Sequence, residues 1–404
     1  MTDLVIGGGG YVGLSLAVAV KKAAPHLDVI VVDGAPEGAW QRDERASAIA
    51  AAASFMLEAL GVWADILPEA QPINSMIVTD SRTADPVRPV FLTFDGAVED
   101  GKPFAHMVPN KAMVGPLRQM CSALQIDIIQ GQSITGFKTE PHQILCELSN
   151  GQRLQSRLLV ACDGVKSKLR DAAGIKVVNF DYQQSGIVTT VEHERPHNGV
   201  AEEHFLPSGP FAILPLTGNR SSLVWTERTA DANRLVASDD LVFEEELERR
   251  FGLKLGALKV TGGRKAFPLG LTLARDFIAP RFALAGDAAH GIHPISGQGL
   301  NLGFKDAAAL AETIVDADRL GLDIGSMTVL ERYQSWRRFD TFRMGVTTDV
   351  LNRLFSNDIA PLRIVRDFGL GLVDRLPGLK SFFIGQAAGT TGQVKPKLLS
   401  GLPI

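Results

Sequence analysis

The sequence predicts an α/β fold in which a nucleotide-binding βαβ unit is interlocked with an antiparallel-sheet domain and followed by C-terminal helices. Three observations carry this. The opening "LVIGGGGYVGLSLAVAVKKAA" and "DVIVVDG" read as a short buried strand, a glycine turn, a helix and a second buried strand ending in Asp33. From about 176 to 268 the chain changes to extended segments with turn punctuation, among them "EEHFLPSGPFAILPL" and "SSLVWTE", broken by the charged helical stretch "SDDLVFEEELERRF". The stretch "ALAGDAAHGIHPISGQGLNLGFKD" then restores the strand-turn-helix grammar.

The intervening pieces follow in order. "ERASAIAAAASFMLEALGVW" has the pattern of one long helix, and residues 73 to 105 read as strands and loops. "NKAMVGPLRQMCSAL" returns to helical spacing, with Gly115-Pro116 expected to start or kink the helix. "RLLVACDGVKSKLRDAAGI" is again strand, turn and helix, residues 328 to 386 alternate apolar and basic positions at helical spacing, and the end from about 389 reads as irregular. At 404 residues the chain exceeds one ordinary core, so two interlocked domains are expected. Residues 1–72, 106–175 and 269–340 would form the nucleotide-binding domain, 73–105 and 176–268 the sheet domain, and 341–404 a C-terminal helical region with an irregular tail.

Composition excludes several functions. A net charge of -4 gives no reason to expect nucleic acid, although residues 341 onward carry 8 Lys+Arg against 4 Asp+Glu. Cys121, Cys146 and Cys162 are odd in number and far apart, which argues against a disulfide framework or a zinc site. Lys21-Lys22 follow the apolar run Leu14 to Val20, the wrong order for a secretory signal. No stretch reaches the roughly 18 apolar residues of a spanning helix. A cytoplasmic protein is expected, with any membrane contact peripheral, at the inner face.

Gly8-x-Gly10-x-x-Gly13 follows a strand, and Asp33 stands twenty residues beyond the last glycine. Glycines there permit a tight turn and let a pyrophosphate approach backbone N–H groups at a helix N-terminus, while the acid accepts hydrogen bonds from ribose hydroxyls. The motif alone separates neither NAD from FAD nor, without its strand-helix-strand context, a nucleotide site from a plain turn. Asp163-Gly164, followed by Ser167, Lys168 and Arg170, is open to two readings: a cofactor contact, or a turn with a helix cap. Gly286-Asp287 ends a strand, and Gly297, Gly299 and Asn301 precede a helix. A carboxylate there suits a ribityl chain, and a helix start suits the flavin edge that becomes negative on reduction. His290 and His293 lack a nearby Cys or Glu in a ligand pattern, so no metal is expected; hydrogen bonding around the loop is the simpler expectation.

"GGGGYVG", "ACDGVKSKLR" and "GDAAHGIHPISGQGLNLGFKDA" resemble, in order and approximate spacing, the three fingerprints of class A FAD-dependent aromatic hydroxylases, the para-hydroxybenzoate hydroxylase group. "DERASAIAAAASFMLEALGVW", "GPFAILPL" and the segment from Arg337 to Phe383 are similar to the ubiquinone-biosynthesis hydroxylase branch. The resemblance covers nearly the whole chain. It implies a Rossmann-like FAD domain of the glutathione-reductase type, with FAD as cofactor and NAD(P)H as a transient reductant. By position, Gly8, Gly10 and Gly13 would hold the pyrophosphate and Asp33 the adenosine ribose. Arg45 would lie near the isoalloxazine, Asp163-Gly164 would serve both nucleotides, and Asp287 would bind the ribityl or pyrophosphate region. Pro294, Gly297, Gly299, Leu300 and Asn301 would line the flavin ring. Asp33 stands where many relatives have Glu, and Tyr11 where many have Pro or Ala.

The resemblance further implies that O₂ adds to the reduced flavin at C4a and that the adduct oxygenates an electron-rich phenol, so that no catalytic side chain is assigned. The expected substrate is a polyprenylated phenol. The strands "GPFAILPL" and "SSLVWTE" offer Leu214, Pro215 and Trp225 as its cover, or as core alone. Residues 341 to 386 would contact membrane lipid or partner proteins of ubiquinone biosynthesis, or pack on the protein's own core. A hydroxylase of a small soluble aromatic and a non-enzymatic flavin-binding subunit are the competing functions.

Overall fold

The computed structural model describes residues 1–80, 90–95, 103–292, 298–355 and 395–404. In chain order its principal elements begin with β1 (Thr2–Gly7), α1 (Tyr11–Ala23), β2 (Val29–Asp33), β3 (Ala46–Ala50), α2 (Ala51–Ala59), β4 (Ser75–Asp80) and β5 (Val90–Asp95). There follow β6 (Ala105–Pro109), α3 (Asn110–Ala123), β7 (Asp127–Gln130), β8 (Arg153–Ala161) and α4 (Lys168–Ala172). The second sheet supplies β9 (Val177–His193), β10 (Val200–Leu206), β11 (Gly209–Leu216), β12 (Arg220–Arg228), α5 (Thr229–Ala237), α6 (Asp240–Phe251) and β13 (Lys265–Ala274). The chain then returns through β14 (Phe282–Leu284), α7 (Gln298–Arg319) and α8 (Met327–Phe355).

The first sheet places β14, β8, β1, β2 and β7 side by side, all parallel, with Val5 opposite Leu159 and Leu4 opposite Val29. Its strands are continuous apolar runs because both faces are covered, one by α1 and the other in part by the antiparallel strand Ile134–Thr139, whose Phe137 stacks on Phe282 with ring centres 5.2 Å apart. Helix α1 is apolar almost all round for the same reason: Leu14, Leu16, Ala17 and Val18 are fully buried, and the helix packs against α3 and α7.

The second sheet runs β13, β9, β12, β11, β10, β4, β5. Its pairs are antiparallel except β4 with β10, which is parallel, so the segment before residue 105 adds the outer strands to a sheet built mainly after 176. One face of this sheet packs under α5 and α6 through Phe211, Trp225, Phe243 and Leu247. The other face is turned to a cavity. A β-strand alternates its side chains, so each of β10, β11 and β12 serves both.

Two local expectations are corrected. "ERASAIAAAASFMLEALGVW" is not one helix: Ala46–Ala50 pairs antiparallel with β6, Ala48 opposite Met107, and helix begins only at Ala51. Alanine favours helix, but the strand partner and the Asn301 side chain outcompete that preference, its Oδ1 accepting from Ala50 N at 2.9 Å and its Nδ2 donating to Ala48 O at 3.0 Å. Helix α3 starts at Asn110 and runs through Gly115-Pro116, with Pro116 inside it. The expected tail helices continue in α8 to Phe355; the rest of 356–394 lies outside the described residues.

Candidate functional site

The glycine turn sits where β1, β8 and α1 meet. Gly8 has φ 122°, and a Cβ on it would stand 2.2 Å from Cys162 O; a Cβ on Gly13 would stand 2.1 Å from Gly8 O. Both positions are closed to side chains by backbone. Gly10 is the reverse case: as the residue capping α1 it faces open space, with nothing within 4 Å of its Cβ direction. An anion can therefore approach the N–H groups at the start of α1 on that side.

Asp33 ends β2 beside this turn. It accepts from Ala35 N at 3.2 Å and from Gln130 Nε2 at 3.1 Å, with Arg118 Nη1 3.6 Å away. Arg118 Nη1 is buried and makes no hydrogen bond, so a polar group remains to be satisfied here. Asp163-Gly164 lies against the same turn, since Cys162 N donates to Gly7 O at 2.7 Å. Asp163 Oδ2 accepts from Leu169 N at 3.3 Å, and Ser167 Oγ caps α4 by accepting from Arg170 N at 3.0 Å. The turn-and-cap reading of this motif is thus realised, next to the place where the cofactor reading needs it.

Gly286-Asp287 follows β14. Asp287 opens into the cavity and has no hydrogen-bond partner among the described residues. Protein surrounding it on the other sides raises its carboxyl above the usual range, with His290 and Arg45 acting in the opposite direction. Tyr11 shares this environment: burial, and then Asp287, push its phenol above the usual range. Arg45 is held by Asp43, its Nε donating to Oδ1 at 2.8 Å and its Nη2 to Oδ2 at 2.7 Å, and its guanidinium lies 5.6 Å from the centre of the Phe267 ring.

The turn carrying Asp287 is anchored from below by groups that sequence reasoning missed. Asp306 on α7 is fully buried and accepts from Gly286 N at 2.9 Å and Arg337 Nε at 2.7 Å, while His290 Nε2 lies 2.5 Å from its Oδ2. Arg337, on α8, also donates to Asp340 at 2.9 Å. Burial opposes ionisation of Asp306, but His290 and Arg337 hold its carboxyl below the usual range. His290 is therefore a buried partner of Asp306, and no group of three metal-ligating side chains occurs among the described residues. His293, Pro294 and Gly297 lie outside the described residues.

A cavity of about 900 Å³ joins the two sheets. Tyr11, Ser47, Asp287, Gly299, Leu300 and Asn301 contribute one side, and β10 to β13 contribute the other through Glu203, Ala212, Leu214, Val224 and Leu269. Of the three candidates for substrate cover, Leu214 lines the cavity. Pro215 and Trp225 do not: Trp225 faces the opposite side of the sheet, where its Nε1 donates to Glu227 at 2.8 Å and Arg250 stacks at 4.3 Å. Glu203 was missed, although two glutamates inside the apolar strand "VAEEHFL" were a signal, because alternation must send one of them to each face.

These features fit a flavin dinucleotide: an open approach to the α1 N-terminus at Gly10, acids at Asp33 and Asp287, and the first described turn of α7 in the cavity wall. The family model described as "FAD binding domain" matches residues 1–338. The ubiquinone hydroxylase UbiL of Rhodospirillum rubrum is 43% identical, covering 100% of this chain and 94% of its own length. The 3-demethoxyubiquinol 3-hydroxylase of Escherichia coli is 33% identical over 96% of this chain and 98% of its own. Among solved structures, p-nitrophenol 4-monooxygenase from Pseudomonas putida superposes with a TM-score of 0.81 at 19% identity, covering 98% of this chain and 99% of that one, a likeness of fold. The chain belongs to the FAD-binding-domain family and, within it, to the FAD-dependent monooxygenases.

Proposed function

We propose that this protein hydroxylates the aromatic ring of a polyprenyl phenol in ubiquinone biosynthesis, with NAD(P)H and O₂ as co-substrates. The observation that carries the reading is 43% identity along the whole chain to a ubiquinone hydroxylase. Bound FAD, reduced by NAD(P)H, supplies the electrons and, with O₂, the oxygen atom. The chain's own residues bind, orient and exclude water. Gly8 and Gly13 permit the tight turn that, with Gly10 on its open side, holds the pyrophosphate at the N-terminus of α1, and Asp33 takes the adenosine ribose. Asp163-Gly164 braces the turn, Asp287 takes ribityl hydroxyls, and Arg45 lies beside the ring. The start of α7, with Gly299, Leu300 and Asn301 and with Pro294 and Gly297 before it, stabilises the edge of the flavin that becomes negative. Leu214, Ala212 and Val224 form an apolar wall for the substrate ring. Residues 1–72, 106–175 and 269–340 act as the cofactor unit, and 73–105 with 176–268 as the substrate unit.

A polyprenyl chain resides in a bilayer, and no described helix is long and apolar enough to cross one. On α8, Phe339, Phe342 and Val346 are 73%, 60% and 42% exposed at helical spacing, flanked by Arg338 and Arg343. We assign this face to peripheral contact with anionic lipid. In vesicles containing a short-chain prenylphenol, label from isotopic O₂ is expected in the ring. Phe339→Ser with Phe342→Ser should slow the reaction on vesicle-borne substrate more than on detergent-dispersed substrate. NAD(P)H oxidation without ring labelling would defeat the substrate assignment; equal slowing would defeat the membrane contact.

A further inference from the structure

We propose that Glu203 accepts the phenolic proton of the substrate, and that it thereby selects rings bearing a free hydroxyl over rings whose oxygen is alkylated; this rests on the function proposed above. Glu203 is 6% exposed and lines the cavity. It has no hydrogen bond or ion pair among the described residues. Its neighbour Glu202, equally buried on the opposite face, is satisfied by Lys254 at 2.6 Å and lies 3.7 Å from His204. One of two adjacent buried carboxylates is thus provided for by the protein, and the other is left to whatever enters the cavity. Unpaired buried carboxylates are costly to folding, so this one calls for a ligand-side explanation.

The surroundings suit a base. Across the sheet Glu203 faces Val78 on β4 and Ala212 on β11, neither charged. The titratable and charged groups that share the cavity wall are Lys166, Arg170, Asp171, Asp181, Asp287 and Tyr11. None of them perturbs Glu203; burial alone pushes its carboxyl up to about 8. An ordinary phenol ionises at about 10, so the proton moves between groups roughly two units apart, within reach of general base catalysis near neutral pH.

In the step itself the phenolic O–H bond breaks, its electron pair stays on oxygen and enriches the ring, and an O–H bond forms on the Glu203 carboxylate. Oxygen and electrons come from the reaction with O₂ and NAD(P)H proposed above. When the oxygenated ring carbon gives up its own proton to solvent, the substrate oxygen takes the first proton back from Glu203, which is again a carboxylate.

The test compares wild type with Glu203→Gln, using a short-chain prenylphenol and its O-methyl ether as probes in the FAD-loaded protein. The variant is expected to keep wild-type FAD content while hydroxylation falls on the order of 100-fold. The wild-type rate should climb as pH rises through about 8, the carboxylate being the active form. That limb should vanish in Glu203→Gln, which cannot take a proton, and the preference for phenol over ether in binding should shrink, since the amide oxygen still accepts from the phenol O–H. A second readout needs no turnover. A carboxyl whose folded pKa is raised from 4.5 to about 8 destabilises progressively as pH rises through that window, so the Tm of the variant should gain on wild type between pH 5 and pH 9. A variant with unchanged rate, pH profile and phenol preference overturns the assignment. A wild-type protein that leaves the prenylphenol unaltered overturns the reading beneath it, and the assignment with it.

Discussion

Asp306→Ala is expected to lower folding stability by about 3–5 kcal/mol, because it strips the partner from a buried arginine. Asp306 is 0% exposed and Arg337 4%. Removing the carboxylate leaves the Arg337 guanidinium with Asp340 alone, and leaves His290 Nε2 and Gly286 N without their acceptor. The same change loosens the turn that presents Asp287, so FAD retention should fall as well. Denaturant titration of the holoprotein measures the effect, and Arg337→Met in the same background should recover part of the loss, since it removes the stranded charge. The sign of the pH dependence follows from the lowered carboxyl. Stability from Asp306 is fully present above its unfolded value of 3.8 and is lost as pH falls through the lower folded value, so the variant should lose part of the wild-type acid transition. A change below about 1 kcal/mol would mean the network is a bystander.

Gly10→Val and Gly13→Val should fail in different ways. A side chain at Gly13 meets Gly8 O at 2.1 Å, a backbone clash that the turn cannot absorb, so that variant should not fold natively. At Gly10 there is nothing within 4 Å, and its φ of -80° and ψ of 178° are open to any residue. Gly10→Val should therefore keep its fold by circular dichroism while filling the approach to the α1 N-terminus. FAD affinity is expected to drop by about 100-fold, roughly 2.8 kcal/mol, read from flavin fluorescence on titrating the apoprotein. Wild-type affinity in a folded Gly10→Val would remove the pyrophosphate from this turn.

Much of this site was legible because its parts are local. A strand, a glycine turn and a helix start occupy about a dozen consecutive residues, and the acids at Asp33, Asp163 and Asp287 each end or closely follow a strand. What escaped depends on distant partners. Ala46–Ala50 is strand because β6 and Asn301 claim its backbone, and alanine composition carries no trace of either. Trp225 and Leu214 belong to adjacent strands of one apolar pattern, and alternation shows that such strands have two faces without showing which one borders the cavity. Asp306 reads as an ordinary helix acid until Arg337, 31 residues on, is folded against it. Glu203 was readable in principle, since a pair of acids within a buried strand is a local contradiction, and such contradictions mark functional places.

Oxygenation of a polyprenyl phenol for ubiquinone can be read from the lipids of a strain that lacks this chain and has no paralogue covering the loss. In that strain quinone should fall and a ring-incomplete polyprenyl phenol should accumulate. The gene for the wild-type chain, but not for Gly10→Val, should restore the quinone. A normal quinone pool with no accumulated precursor would contradict it.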